Sequence, residues 1–124
     1  MGVGLAIGFG GALGALLRYW MSTGVYALLG RDFPYGTLAV NVLGSFLLGL
    51  CSVLLIDRLA IGPAWRAGVL IGGLGAFTTF STFSLETLLL IEQGALLRAL
   101  LNAVASVVLC LAFVWLGVLI GRQI

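Results

Sequence analysis

Histidine and lysine are absent from the 124-residue chain, cysteine and proline occur twice each, and six arginines stand against only four acidic residues. Each shortage removes a class of protein. Without histidine, and with Cys51 and Cys110 each set inside an apolar run, neither a side-chain metal centre nor a disulfide framework is expected. No nucleophile sits with a base, so an enzyme is the least supported reading. The net charge of +2 is spread over isolated arginines, which gives no basic cluster and no nucleic-acid footprint. The first apolar run lacks a positive leader and Ala6 departs from the myristoylation pattern, so neither cleavage nor lipidation of this end is expected.

What is present is apolar. Hydrophobic residues make up 62% of the chain and the mean hydropathy is +1.26, which points to one integral membrane domain. Since about 20 apolar residues are needed to cross roughly 30 Å of hydrocarbon, four transmembrane helices are predicted, at about 3–29, 37–56, 67–91 and 98–121. The connections are short, with Pro34 in the first and Gly62 and Pro63 in the second. Cytoplasmic loops normally hold an excess of positive charge. Here Arg58, Arg66 and Arg122 on one face meet Arg31 and Arg98 on the other, joined by Arg18 if it snorkels that way. So small a bias predicts insertion in both orientations, and pairing of inverted copies as an antiparallel homodimer.

Gly72 to Glu86, reading GGLGAFTTFSTFSLE, falls where the middle of the third helix should be. Glycines at 72, 73 and 75 and β-branched Thr78, Thr79 and Thr82 disfavour the helix, so a break is predicted near 75–79. Backbone freed at membrane depth must be covered by protein or line a water-filled cavity. Phe77, Phe80 and Phe83 recur at intervals of three and alternate with hydroxyls at Thr79, Ser81, Thr82, Ser84 and Thr87. Ring edges are positive and hydroxyls donate hydrogen bonds, so together they can replace the water around a small anion without an ion pair strong enough to trap it. The half-helix beginning near Thr79 adds a favourable dipole for an anion. Carbonyls released between Gly75 and Thr78 suit the opposite charge, a hard cation held structurally.

Other polar residues leave alternatives open. Thr37, Asn41 and Ser45 share one face of the second helix, either as an interhelical hydrogen-bonding face or as a pore lining. Asn102 and Ser106 are likewise four apart in the fourth. Arg18 either snorkels beside Tyr19 and Trp20 or lines an aqueous vestibule, because an arginine at a helix centre costs on the order of 2.5 to 3.5 kcal/mol. Glu86 is a cap, a partner for an arginine, a vestibule group or a proton site. Glycines at 4, 8 and 11 on one side of the first helix, and at 10 and 14 on another, allow close helix approach.

The stretch GGLGAFTTFSTFSLET, with Arg18 in the first helix and GTLAVN at 36–41, resembles the bacterial fluoride channels of the CrcB/Fluc type, and the resemblance covers essentially the whole chain. It implies passive, electrogenic fluoride export across the bacterial inner membrane by a dual-topology homodimer with two antiparallel pores. By motif position, Phe80 and Phe83 are the implied aromatic pore residues and Asn41 the pore-facing amide. Ser81, Thr82, Ser84 and Ser106 form the implied hydroxyl track, and Arg18 and Glu86 stand at positions that are functionally charged in such proteins. Carbonyls of Gly75 and Thr78 from both subunits would hold a central structural sodium ion. Two features depart from the pattern: Gly75-Ala76-Phe77 replaces the usual Gly-Gly-Leu, and Asn102 stands where some members carry an aromatic. The other reading, a small proton-coupled exporter of organic cations, shares four helices but needs an embedded acid, usually in the first helix, where only Arg18 is charged. An assembly subunit would account for the glycines and not for the Phe-hydroxyl cluster.

Overall fold

The fold was analysed on a computed structural model that describes residues 2–59 and 61–124. It is all-helical, with four helices long and apolar enough to cross a membrane: Gly2–Leu29, Tyr35–Arg58, Pro63–Glu92 and Leu96–Gln123, the first to fourth spans. Their ends follow local chemistry. Pro63 opens the third span, where its missing N–H costs nothing because the first turn has no intrahelical acceptor. Gly94 closes it at φ 81°, a left-handed conformation that glycine adopts without strain. There the Ala95 N–H reaches the Leu90 carbonyl at 2.9 Å and the Gly94 N–H that of Ile91 at 3.0 Å, which satisfies the last orphan carbonyls.

Two stretches are wound more widely, with the π-helical i to i−5 pattern. They are Val53–Arg58 at the end of the second span and the glycine-rich Ala67–Leu74 within the third. Beyond them the third span continues as Gly75–Phe77 and resumes as Ser81–Glu92. Thr78 lies between, extended at φ −84° and ψ 159°.

Packing pairs the first span with the third and the second with the fourth. Both contacts are made backbone to backbone. A Cβ on Gly10 would lie 2.0 Å from the Gly68 carbonyl oxygen and one on Gly14 2.1 Å from that of Gly73. On the other pair, Gly49 faces the Val114 carbonyl and Gly117 that of Phe46, each at 2.2 Å from the added carbon. A Cβ on Gly4, Gly8 or Gly11 would meet nothing within 4 Å among the described residues, although the Gly11 N itself lies 3.0 Å from a carbon added at Gly72. Apolar side chains such as Phe9, Leu28, Trp115 and Leu111 point outward, and the few polar side chains that are buried, Thr37, Asn102 and Ser106, lie inside. That inversion is what a hydrocarbon solvent selects. At one end of the bundle Arg58 donates to the Arg122 carbonyl, and elsewhere Arg98 donates to that of Asp32 at 3.3 Å.

Candidate functional site

The site begins with a change of hydrogen-bond partners. Thr78 N–H still reaches the Leu74 carbonyl at 3.2 Å, as a helix requires. One residue later the ladder is diverted: Thr79 N–H, which a continuing helix would give to Gly75, donates instead to Asn41 Oδ1 at 2.8 Å. Asn41 Nδ2 returns a bond to the Thr79 carbonyl at 2.9 Å. The side-chain amide thus accepts from one of the peptides flanking Thr79 and donates to the other, and the second span is tied to the third at the point where helical winding lapses. Thr82 N–H, the helical partner of the Thr78 carbonyl, donates to Thr79 Oγ1 at 3.2 Å. The same hydroxyl lies 3.2 Å from Ser81 Oγ and from Thr82 Oγ1, so Thr79 gathers the polar groups of the first turn of the helix that follows. Among the described residues, the carbonyls of Gly75 and Thr78 are left without their helical N–H partners; Gly75 keeps only the Thr78 hydroxyl at 3.5 Å. Two freed carbonyl oxygens form a hard donor set, which fits an alkali cation better than a soft metal.

Beside this bend lies a groove of about 410 Å³ lined by Asn41, Ser45, Thr78, Thr79, Phe80, Phe83 and Ser106, with aliphatic side chains of the second and fourth spans. Among the described residues, no charged side chain lines it. The Phe80 and Phe83 rings are tilted at 39° with centroids 5.4 Å apart; Phe83 is half-buried, whereas Phe80 is 77% exposed in the single chain. The groove therefore brings Asn41, Phe80, Phe83 and Ser106 together, with Thr78 at its edge. Gly75 lies outside it and is exposed, as are Ser81, Thr82 and Ser84 on the following helix, where the Ser84 hydroxyl turns back to the Phe80 carbonyl at 2.9 Å. Phe77 shares an interval of three with these rings in sequence but not a face in space. The extended Thr78 turns the chain, and Phe77 is buried along a separate apolar cavity of about 760 Å³ with Gly14 and Leu43.

Two further polar clusters flank the groove. Glu86 accepts hydrogen bonds from the Tyr26 and Thr37 hydroxyls, and the Arg31 guanidinium lies 4.4 Å from the centroid of the Tyr26 ring. Glu86 is thus held by hydroxyls of the first and second spans, with no arginine on its carboxyl among the described residues. Asn102, only 1% exposed, donates to Thr87 Oγ1 at 2.9 Å and accepts from Ser106 Oγ at 3.4 Å, while Thr87 donates to the Phe83 carbonyl at 2.7 Å. That chain ties the fourth span to the backbone of an aromatic that lines the groove. Arg18 is half-buried in the first span and, among the described residues, has no hydrogen-bond partner. Sequence reasoning missed Tyr26: a lone tyrosine sixty residues from its acidic partner gives no local signal, and only its position eleven residues before Thr37 across a tight turn hints at contact.

The family model described as "CrcB-like protein, Camphor Resistance (CrcB)" matches residues 5–118. A protein of Methylococcus capsulatus called "Fluoride-specific ion channel FluC" is 60% identical over 119 residues, which are 96% of this chain and 52% of that protein. The chain therefore spans about half the length of that relative. Proteins of the same description from Magnetococcus marinus and Geotalea daltonii are 55% and 51% identical, and there the match covers 95% of this chain and 96% and 95% of theirs.

Proposed function

The chain belongs to the CrcB-like family, and from that premise we propose that it is a fluoride channel, giving passive and electrogenic export of the anion across the bacterial inner membrane. The observation that carries this reading is the groove itself, where two phenyl rings stand with the Asn41 amide and the Ser106 and Thr79 hydroxyls and no cationic side chain. Fluoride is small and strongly hydrated, so its dehydration must be offset by many weak donors. Ring edges, the Ser45 hydroxyl and the second Nδ2 proton of Asn41 supply them, and none holds the ion as an arginine would. The helix Ser81–Glu92 starts directly after Phe80 of the groove, so the positive end of its dipole lies near the aromatic pair. Ser81, Thr82 and Ser84 extend the track along that helix, and Arg18 and Glu86 are charged groups of its vestibules.

In this reading the third transmembrane helix is broken at Thr78, and two inverted copies pair there to form two pores. The 77% exposure of Phe80 supports it, since a pore residue open on a single chain needs a second surface to complete its wall. At the centre of the pair, Gly75 and Thr78 carbonyls from both copies would hold a structural sodium ion. When bound, that ion supplies positive charge that joins the two bends and favours anions nearby. The chain's own contribution is to keep those carbonyls out of the helical ladder, as the Thr79 and Thr82 N–H groups do by bonding elsewhere.

The test is flux from liposomes. Purified protein is expected to release fluoride down its gradient, with charge movement and without release of chloride. Proton-driven antiport of organic cations, or equal chloride release, would overturn the reading.

A further inference from the structure

We propose that Asn41 is the positioning residue of the cation site: by accepting the Thr79 N–H it keeps the Gly75 carbonyl from closing a helical hydrogen bond, and so leaves that oxygen free for a hard monovalent cation. The inference rests on the reading that Gly75 and Thr78 carbonyls hold such an ion, and it adds a residue that does not touch the ion at all.

Three observations on different atoms agree. The Thr79 N–H has one acceptor, Asn41 Oδ1 at 2.8 Å, in place of the oxygen four residues back. The reciprocal bond from Asn41 Nδ2 to the Thr79 carbonyl at 2.9 Å holds the next peptide along, so the amide fastens Thr79 at both of the peptides that flank it. The third is steric. Three residues after Asn41, Gly44 lies so close to the bend that a Cβ there would sit 2.3 Å from Thr78 Cγ2, and this approach brings the Asn41 amide within reach of the Thr79 backbone. A backbone N–H withdrawn from water at membrane depth must find an acceptor. Without the Asn41 oxygen, the nearest geometry available to Thr79 is the ordinary helical bond, and forming it would occupy the Gly75 carbonyl.

The test is sodium-dependent thermal unfolding of the full-length protein in detergent. Sodium chloride replaces N-methyl-D-glucamine chloride at constant ionic strength. The native sequence is expected to gain a saturable rise in unfolding midpoint. Asn41→Ala, which removes the acceptor, is expected to need at least about tenfold more sodium for half of that rise, about 1.4 kcal/mol in affinity. Asn41→Asp keeps an acceptor for the Thr79 N–H and loses only the returned bond, so its half-saturating concentration stays at or below the native one. An unchanged half-saturation in Asn41→Ala overturns the proposal. If Asn41→Ala does not fold, Asn41→Asp decides: a folded variant that has lost the saturable sodium response overturns it as well. A native protein indifferent to the exchange of cations would instead remove the cation reading itself, and this inference with it.

Discussion

At the scale of single residues, the chain places few polar groups and commits nearly all of them. Phe80 and Phe83 meet the groove through their rings, which have no hydrogen-bonding duty elsewhere. Replacing either by isoleucine keeps the bulk and removes the ring edge, so fluoride release from liposomes is expected to fall to background while size-exclusion profiles stay unchanged. Retained flux in both variants would take the rings out of the pathway. Tyr26 makes a different point. Its hydroxyl donates to Glu86 while its ring carries Arg31, and phenylalanine would remove only the first. Tyr26→Phe should therefore lower stability by about 1 to 3 kcal/mol, the usual range for a hydrogen bond to a charged or buried partner, read as a lower thermal midpoint. Asn102→Ala would strip Thr87 and Ser106 of their shared partner. Interhelical hydrogen bonds in lipid average about 0.6 kcal/mol and reach about 1.7, so a loss on the order of 1 kcal/mol in denaturant unfolding is expected.

At the scale of elements, glycine decides which helices touch. Gly14→Ala would put a methyl 2.1 Å from the Gly73 carbonyl oxygen, and backbone cannot step aside as a side chain does. A cost of about 1 to 3 kcal/mol follows. Gly24→Ala, with nothing within 4 Å, should leave the unfolding midpoint in place or raise it slightly. The four helices were legible in the sequence because hydropathy over some twenty residues averages away local irregularity. The widely wound stretches were not, since a π turn differs from an α turn by one residue of register and leaves no compositional mark beyond the glycines of 67–74. Of the site, the meeting of Asn41 with the region after Gly75 was visible only as a polar residue in need of a partner. That the partner is a main-chain amide, and not a side chain or an ion alone, depends on the approach of Gly44 to Thr78 in three dimensions. The Phe77 position misleads for the same reason: periodicity assumes a continuous helix, and the extended Thr78 cancels it.

At the scale of the whole molecule, the arginines outside the apolar runs divide three against two between the two ends of the bundle, Arg58, Arg66 and Arg122 against Arg31 and Arg98. Arg58 joins the Arg122 backbone at one end, and Arg98 reaches the loop that holds Asp32. With this balance, reporter fusions at the C-terminus are expected to register on both sides of the membrane in comparable amounts; a single orientation would exclude inverted pairing. A detergent complex of twice 12.9 kDa of protein is the matching expectation for purified material. The two hydrogen bonds between Asn41 and the backbone of Thr79 also bear on how such an assembly behaves in time. A kink fastened at both its donor and its acceptor is a weld where a hinge would be needed for a gate. Current through single molecules should then appear as long uninterrupted plateaus whose height follows voltage and ion supply, since the protein has no cheap movement at that place with which to switch itself off.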